Sequence, residues 1–129
     1  MARKPAPPKP TAAELDLLRV LWTLGAGTAR EVHEAVARDR PGISAANVLR
    51  QLQLMHGKGL LARDERQRSH VYAPAQPPES LRTNLLKDFI HKAFSGSGKA
   101  LVVAALRDGH VTDAERDEIR RLLGEEDEA

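Results

Sequence analysis

Within the stretch ISAANVLRQLQLMHGKGLL, residues 43–61, Asn47, Arg50 and Gln51 fall at i, i+3 and i+4, a spacing that gathers side chains on one side of a helix. Their types suit one chemistry. Arg offers a fork to guanine O6 and N7, and Asn or Gln offers two groups in a plane to adenine, so the trio near a helix start is equipped to read base edges. A plain solvated face could carry the same residues, which are common on surfaces. The segment after the helix weighs against that plainer role. Arg63, Arg66 and Arg68, with Gln67 and His70 among them, form a cationic cluster directly after it. Sequence-independent phosphate contact needs such a cluster, which holds a reading helix in register without specifying bases.

Catalytic chemistry has no comparable set. His33, His56, His70, His91 and His110 are scattered, with none in an H-E-x-x-H spacing, and the chain has no cysteine to supply a thiolate ligand or nucleophile. SGSGK at 95–99 does not complete G-x-x-x-x-G-K-[ST]. The expectation is a non-enzymatic protein with no metal and no cofactor.

The elements that must position the trio are legible as punctuation. Residues 1–10 hold four prolines and three basic residues and are expected to be a disordered arm. Thr11 and Glu14 form a capping box that opens a first helix, with Leu15, Leu18, Leu21 and Trp22 on its inner stripe and Gly25 at its end. Thr28 and Glu31 repeat the box for a short second helix that buries Val32, Ala35 and Val36, and Pro41-Gly42 marks the next turn. Ser44 caps the third helix, which runs to about Lys58 with Gly59 just beyond it and Val48, Leu52 and Met55 as its core face. The period then changes. Leu60-Leu61 and Val71-Tyr72 flank the arginine-rich middle as two short antiparallel strands. Helix, helix, helix, strand, charged loop, strand is a winged helix-turn-helix over residues 11–76.

Pro77-Pro78 begins a different region. Leu81, Leu85, Leu86, Phe89, Ile90 and Phe94 make a wide apolar stripe on one helix; SGSG interrupts at 95–98, KALVVAAL forms a second helix, and Thr112 with Glu115 caps a third. So few helices cannot bury that much apolar surface alone. Residues 77–124 are therefore expected to be a helical dimerisation module, with Leu81, Leu85, Leu86, Phe89, Ile90, Phe94, Leu101, Val102, Leu106, Ile119, Leu122 and Leu123 facing a second copy, followed by an acidic tail at 125–129. The fold class expected is mainly α with a small β-ribbon.

The charge is divided to match. The chain carries 20 Lys or Arg against 18 Asp or Glu; through Gln76 the count is 12 against 7, and after it 8 against 11. A basic front suits a polyanion and an acidic back does not. The N-terminal MARKPAPPKP lacks an apolar signal core, and no run approaches the ~18 apolar residues of a membrane span, so the expectation is a cytoplasmic chain without membrane insertion.

In order and spacing, TAAELDLLRVLW, GTAREVHEAV, VLRQLQLMHGKGLL, SHVYAPA, FSGSGKALVVAAL and AERDEIRRLL resemble the penicillinase and methicillin-resistance repressor family of the BlaI/MecI/CopY type, over roughly residues 11–123. The resemblance implies a dimeric winged-helix repressor of antibiotic-resistance genes whose third helix enters the major groove of an inverted-repeat operator. Ser44 to Gln51 correspond to the start of the family's recognition helix, where this chain has Ala46-Asn47 in place of a Thr pair, and Leu54 stands where Arg is frequent. Thr28, Ser44, Ala46 and Lys58 join Asn47, Arg50, Gln51, Arg63, Arg66, Gln67, Arg68 and His70 as the expected DNA-contacting set. In the β-lactam branch a membrane metallopeptidase sensor initiates release by cleavage near the first C-terminal turn; the matching position is Ser97-Gly98, with Gly98 in place of a large apolar residue. The copper branch's C-terminal cysteines are absent. Two alternatives stand beside a DNA-binding repressor: a winged helix that binds protein, and a regulator gated by a small molecule in a pocket between its domains.

Overall fold

A computed structural model describes residues 9–124; the expected acidic tail and all but two residues of the expected N-terminal arm lie outside them. The element order is α1 (Ala12–Leu24), β1 (Gly27–Thr28), α2 (Ala29–Ala37), α3 (Ala45–Gly57), β2 (Leu61–Asp64), β3 (Val71–Pro74), α4 (Pro78–Ala93), α5 (Gly98–Arg107) and α6 (Asp113–Leu122). Two compact units divide within α4, between Leu85 and Leu86.

In the first unit the capping boxes set the helix starts. The Thr11 and Thr28 side chains each accept the backbone N–H three residues on, while Glu14 and Glu31 reach back to the cap amides. At the end of α3, Gly59 takes φ +86°, its N–H donates to His56 O and that of Leu60 to Met55 O, with Leu60 packed in the core beside Met55. This left-handed closure turns the chain straight into β2, and a side chain at Gly59 would strain it.

The core comprises Leu17, Leu18 and Leu21 of α1, Val32 and Val36 of α2, Val48, Leu52 and Met55 of α3, with Leu60, Leu61, Tyr72 and Leu81. Leu15 and Trp22, expected inside, are only partly buried; the inner stripe of α1 is centred on Leu17 and Leu21. The expected two-stranded ribbon is a three-stranded antiparallel sheet of order β1-β3-β2, in which Gly27 pairs with Tyr72 and Arg63 pairs with Tyr72 from the other side. The added strand places the N-terminal end of α2 beside the wing. Three helices and this sheet make a winged helix-turn-helix.

Leu81, expected in a dimer interface, belongs instead to this core, and Leu85 packs against it. The first turns of α4 return to α1, where the Arg82 guanidinium lies 5.2 Å from the Trp22 ring centroid.

Glu14 joins the ends of two helices. It is buried, and its carboxylate accepts both the Thr11 N–H and the Lys58 ammonium, the latter at 2.6 Å. Burial alone would raise its pKa, but the hydrogen bonds from Lys58 and Thr11 and the Lys58 charge outweigh it and hold the carboxyl below the ordinary 4.5. The stability contributed by a depressed carboxyl is present above the unfolded value and is lost as pH falls through the folded one. Glu14→Ala removes one half of the capping box and strands Lys58, and is expected to cost about 1–3 kcal/mol. Denaturant melts at neutral pH and at about pH 3 measure this; the difference between native and variant should shrink at the lower pH.

The second unit is built differently. Ser97 and Thr112 cap α5 and α6, Phe89 and Phe94 meet edge to face at 5.7 Å, and Arg116 donates to Leu106 O. Yet none of the described residues from 86 to 124 is buried. Leu86, Phe89, Val102 and Ile119 are exposed, and Leu122 and Leu123 are 85% and 71% exposed; Ile90, Phe94, Leu101 and Leu106 are half-buried. The expected cleavage position lies where Ser97 caps α5 and Gly98 begins it, after a tight turn at Ser95 and Gly96 with φ 50° and 85°. Among the described residues no helix is long and apolar enough to cross a membrane.

Candidate nucleic-acid interface

The site is assembled on α3, a helix of 13 residues whose N-cap Ser44 accepts the Asn47 N–H at 3.1 Å. The turn that delivers it is pinned by His33 of α2, whose Nε2–H donates to Ile43 O at 3.0 Å. On the solvent side Asn47 Oδ1 accepts from Arg50 Nη2 at 3.4 Å and from Gln51 Nε2 at 3.3 Å. The structure therefore brings the three sequence-selected side chains into one network. Asn47 orients the guanidinium of Arg50, which is exposed, while Asn47 and Gln51 themselves are half-buried.

The outward stripe of α3 is Ala46, Leu49, Arg50, Gln53 and Leu54, all exposed. Gln53 and Leu49 are absent from the set that sequence alone selects. At about 100° per residue, Ala46, Arg50 and Gln53 lie within about 50° of the direction opposite the mean of Val48, Leu52 and Met55, whereas Gln51 lies only about 70° from that core direction. The core residues alone carry enough information to find Gln53. Ala46 and Leu49 present apolar surface, the kind that meets a thymine methyl, and Gln53 has the amide that pairs with adenine.

Beside this stripe a groove of about 270 Å³ runs between α3 and the wing, lined by Thr28 and Arg30 at the start of α2, Leu49 and Gln53 of α3, and Arg68, Ser69 and His70 of the wing. Thr28 is occupied in capping α2, with its hydroxyl accepting the Glu31 N–H. Arg30, also missed from sequence, is 87% exposed and shares Glu34 at 3.2 Å. Lys58 stands at the opposite, C-terminal end of α3, held by Glu14.

The wing's cations are unequal. Arg66 grips Asp64 through Nε at 3.0 Å and Nη2 at 2.7 Å, and its backbone N–H donates to the same carboxylate at 3.0 Å. These hydrogen bonds hold Asp64 at about 2, down from 3.8, so its carboxylate stays ionised in any ordinary buffer. Arg63 donates to Glu65 from Nε at 2.9 Å, and Glu65 and the Tyr72 hydroxyl together raise its pKa. Arg68, adjoining Gln67 at the loop tip, has no carboxylate partner among the described residues. A short helix with an exposed forked cation, backed by a cation-bearing loop, can dock a duplex. No cluster of candidate metal ligands occurs among the described residues.

No curated protein is similar enough to the chain to count as a match. Among solved structures, Bordetella bronchiseptica BpsR, described as having its DNA binding regulated by 6-hydroxynicotinic acid, is 25% identical, with 94% of this chain and 77% of that one covered at a TM-score of 0.46. A point mutant of Lactococcus lactis ZitR is 16% identical over 99% of this chain and 80% of its own, at 0.41. A double mutant of ZitR in its apo form is 17% identical over 88% and 80%, at 0.39. A family model described as penicillinase repressor matches residues 10–125. The chain belongs to the penicillinase repressor family, whose members are DNA-binding winged-helix transcriptional regulators.

Proposed function

We propose that the protein is a homodimeric repressor that reads an inverted-repeat operator with the exposed stripe of α3. The observation that carries this is the Asn47-oriented, solvent-exposed Arg50 beside Gln53, next to a groove whose other wall bears Arg68. Arg50 is the candidate for guanine, Gln53 for adenine and Leu49 for a thymine methyl, while Arg68 and Arg30 are candidates for phosphate. Asn47 and Gln51 support Arg50 from the flank of the helix.

The dimer is supported by the second unit, which exposes Leu86, Phe89, Val102, Leu122 and Leu123 and in which none of the described residues is buried. A chain with an apolar face of this kind is insoluble or associated, and a two-fold partner is the simplest cover. Release by a membrane metallopeptidase is what the family resemblance suggests. Gly98 gives such an enzyme no side chain to grip at the start of α5, which favours release without cleavage. As for an effector, the apolar hollow bounded by Leu18, Trp22, Leu60 and Leu81 holds about 20 Å³, room for one water-sized sphere, and offers no small-molecule site as it stands.

Selection of bound duplexes from random DNA at fixed ionic strength tests the proposed role. The expected product is an inverted repeat whose half-sites are about 10 base pairs apart, or a multiple of that. Recovery of unenriched sequence would leave a non-specific binder, and no recovery at all would favour a protein-binding winged helix.

A further inference from the structure

The wing from Arg63 to Arg68 has three guanidiniums and two carboxylates, arranged so that each carboxylate engages one guanidinium. Arg66 and Asp64 are joined by three side-chain hydrogen bonds and closed by the Arg66 backbone N–H on the same carboxylate, so the pair is part of the loop's own turn. Arg63 is three-quarters covered, with its side chain 22% exposed between Glu65 and Tyr72. For either arginine to take a phosphate, it must either give up its carboxylate partner or bridge the two anions with its unused Nη1 donors, and in both cases the carboxylate's negative charge stays beside a polyanion. Such an exchange trades one anion for another and releases no net counterion.

Resting on the proposed role of α3 and the wing as a duplex-binding surface, we propose that Asp64 and Glu65 set the sequence-independent part of DNA affinity by occupying Arg66 and Arg63. The wing thereby offers phosphate one uncommitted guanidinium, that of Arg68. A regulator whose wing bore three free arginines would bind any duplex more tightly and spend more of its time on non-operator DNA. The two carboxylates act as built-in competitors for phosphate.

The test is a double-mutant cycle in the full-length dimer, with binding to a random-sequence duplex measured across a salt series. Because Arg66→Ala alone bares Asp64 beside the duplex, the reference is the double variant Asp64→Asn with Arg66→Ala, which is expected to keep the native slope of log K against log[salt]. Asp64→Asn keeps an acceptor for the Arg66 backbone N–H but drops the charge; it should steepen the slope by about 0.9 for each protomer on the DNA, and adding Arg66→Ala should abolish that gain. Glu65→Gln with Arg63→Ala should behave alike. Arg68→Ala should flatten the slope by about 0.9 per protomer in every background. The proposal is overturned if the double variant Asp64→Asn with Arg66→Ala has a flatter slope than the native chain, because the guanidinium then reaches phosphate in spite of its partner. It is also overturned if Asp64→Asn tightens binding with or without Arg66, since the carboxylate then acts only as a distant charge. Binding that is insensitive to salt, with Arg68→Ala silent, overturns the duplex-binding role itself and this proposal with it.

Discussion

A chain carrying both Phe89→Asp and Leu122→Asp is expected to sediment as a folded monomer where the native chain is expected to sediment as a dimer. Phe89 and Leu122 are 52% and 85% exposed in the single chain, so neither substitution empties a core. Any effect must come from what covers them. Burying one large apolar side chain is worth about 1.5–3 kcal/mol, and two-fold symmetry enters each residue twice. Even if association covers these side chains only in part, the variant loses about 4 kcal/mol or more, roughly a thousandfold in the dimer constant. Trp22, packed near Arg82 in the first unit, reports whether the winged helix stays folded. A monomer with native-like Trp22 fluorescence that protects only a single half-site is the expected result. A variant that remains dimeric at the native concentration would move the interface away from α4 and α6.

The two units are not equally legible in the sequence. Helix starts are plain because Thr11, Thr28, Ser44 and Thr112 are caps with a local mechanism, needing no tertiary context. β1 is invisible: at two residues it has no alternation to detect, and its pairing with β3 is a tertiary fact. Periodicity puts Leu81 and Leu85 on the wrong surface for a related reason. It shows that a side of α4 is apolar but cannot say that its first turns face α1 while its later turns leave Leu86 and Phe89 exposed. The candidate site is legible in type and blurred in phase. Asn47 and Gln51 do belong to the polar side of α3, yet they flank the core, and the outermost polar positions are those of Arg50 and Gln53. In the wing, the sequence supplies the arginines and hides their commitments. Arg63 with Glu65, and Asp64 with Arg66, are two residues apart and so lie on the same side of an extended chain, a spacing that by itself favours pairing.

Arg50→Ala is expected to cut discrimination between operator and random duplex sharply while leaving most of the non-specific affinity intact. A good bidentate contact to guanine separates right from wrong base by about 1–3 kcal/mol. In a two-fold complex the loss occurs in both half-sites, so operator affinity should fall by about 2–6 kcal/mol, roughly thirtyfold to ten-thousandfold. Arg50 has no carboxylate partner among the described residues, only the Asn47 amide at 3.4 Å, so nothing competes with the base for its charge. Asn47→Ala removes that guide while keeping the guanidinium, and should cost less than Arg50→Ala at the same base position. Gln53→Ala should relax a neighbouring position and leave the Arg50 position specific. Arg68→Ala is the contrasting case, lowering operator and random affinity by the same factor because phosphates carry no sequence. The measurement is a pair of titrations for each variant, one on the selected operator and one on a scrambled duplex at the same salt. If Arg50→Ala lowers both equally, the guanidinium touches only the backbone, and base reading must pass to Gln53 and the apolar surface of Ala46 and Leu49.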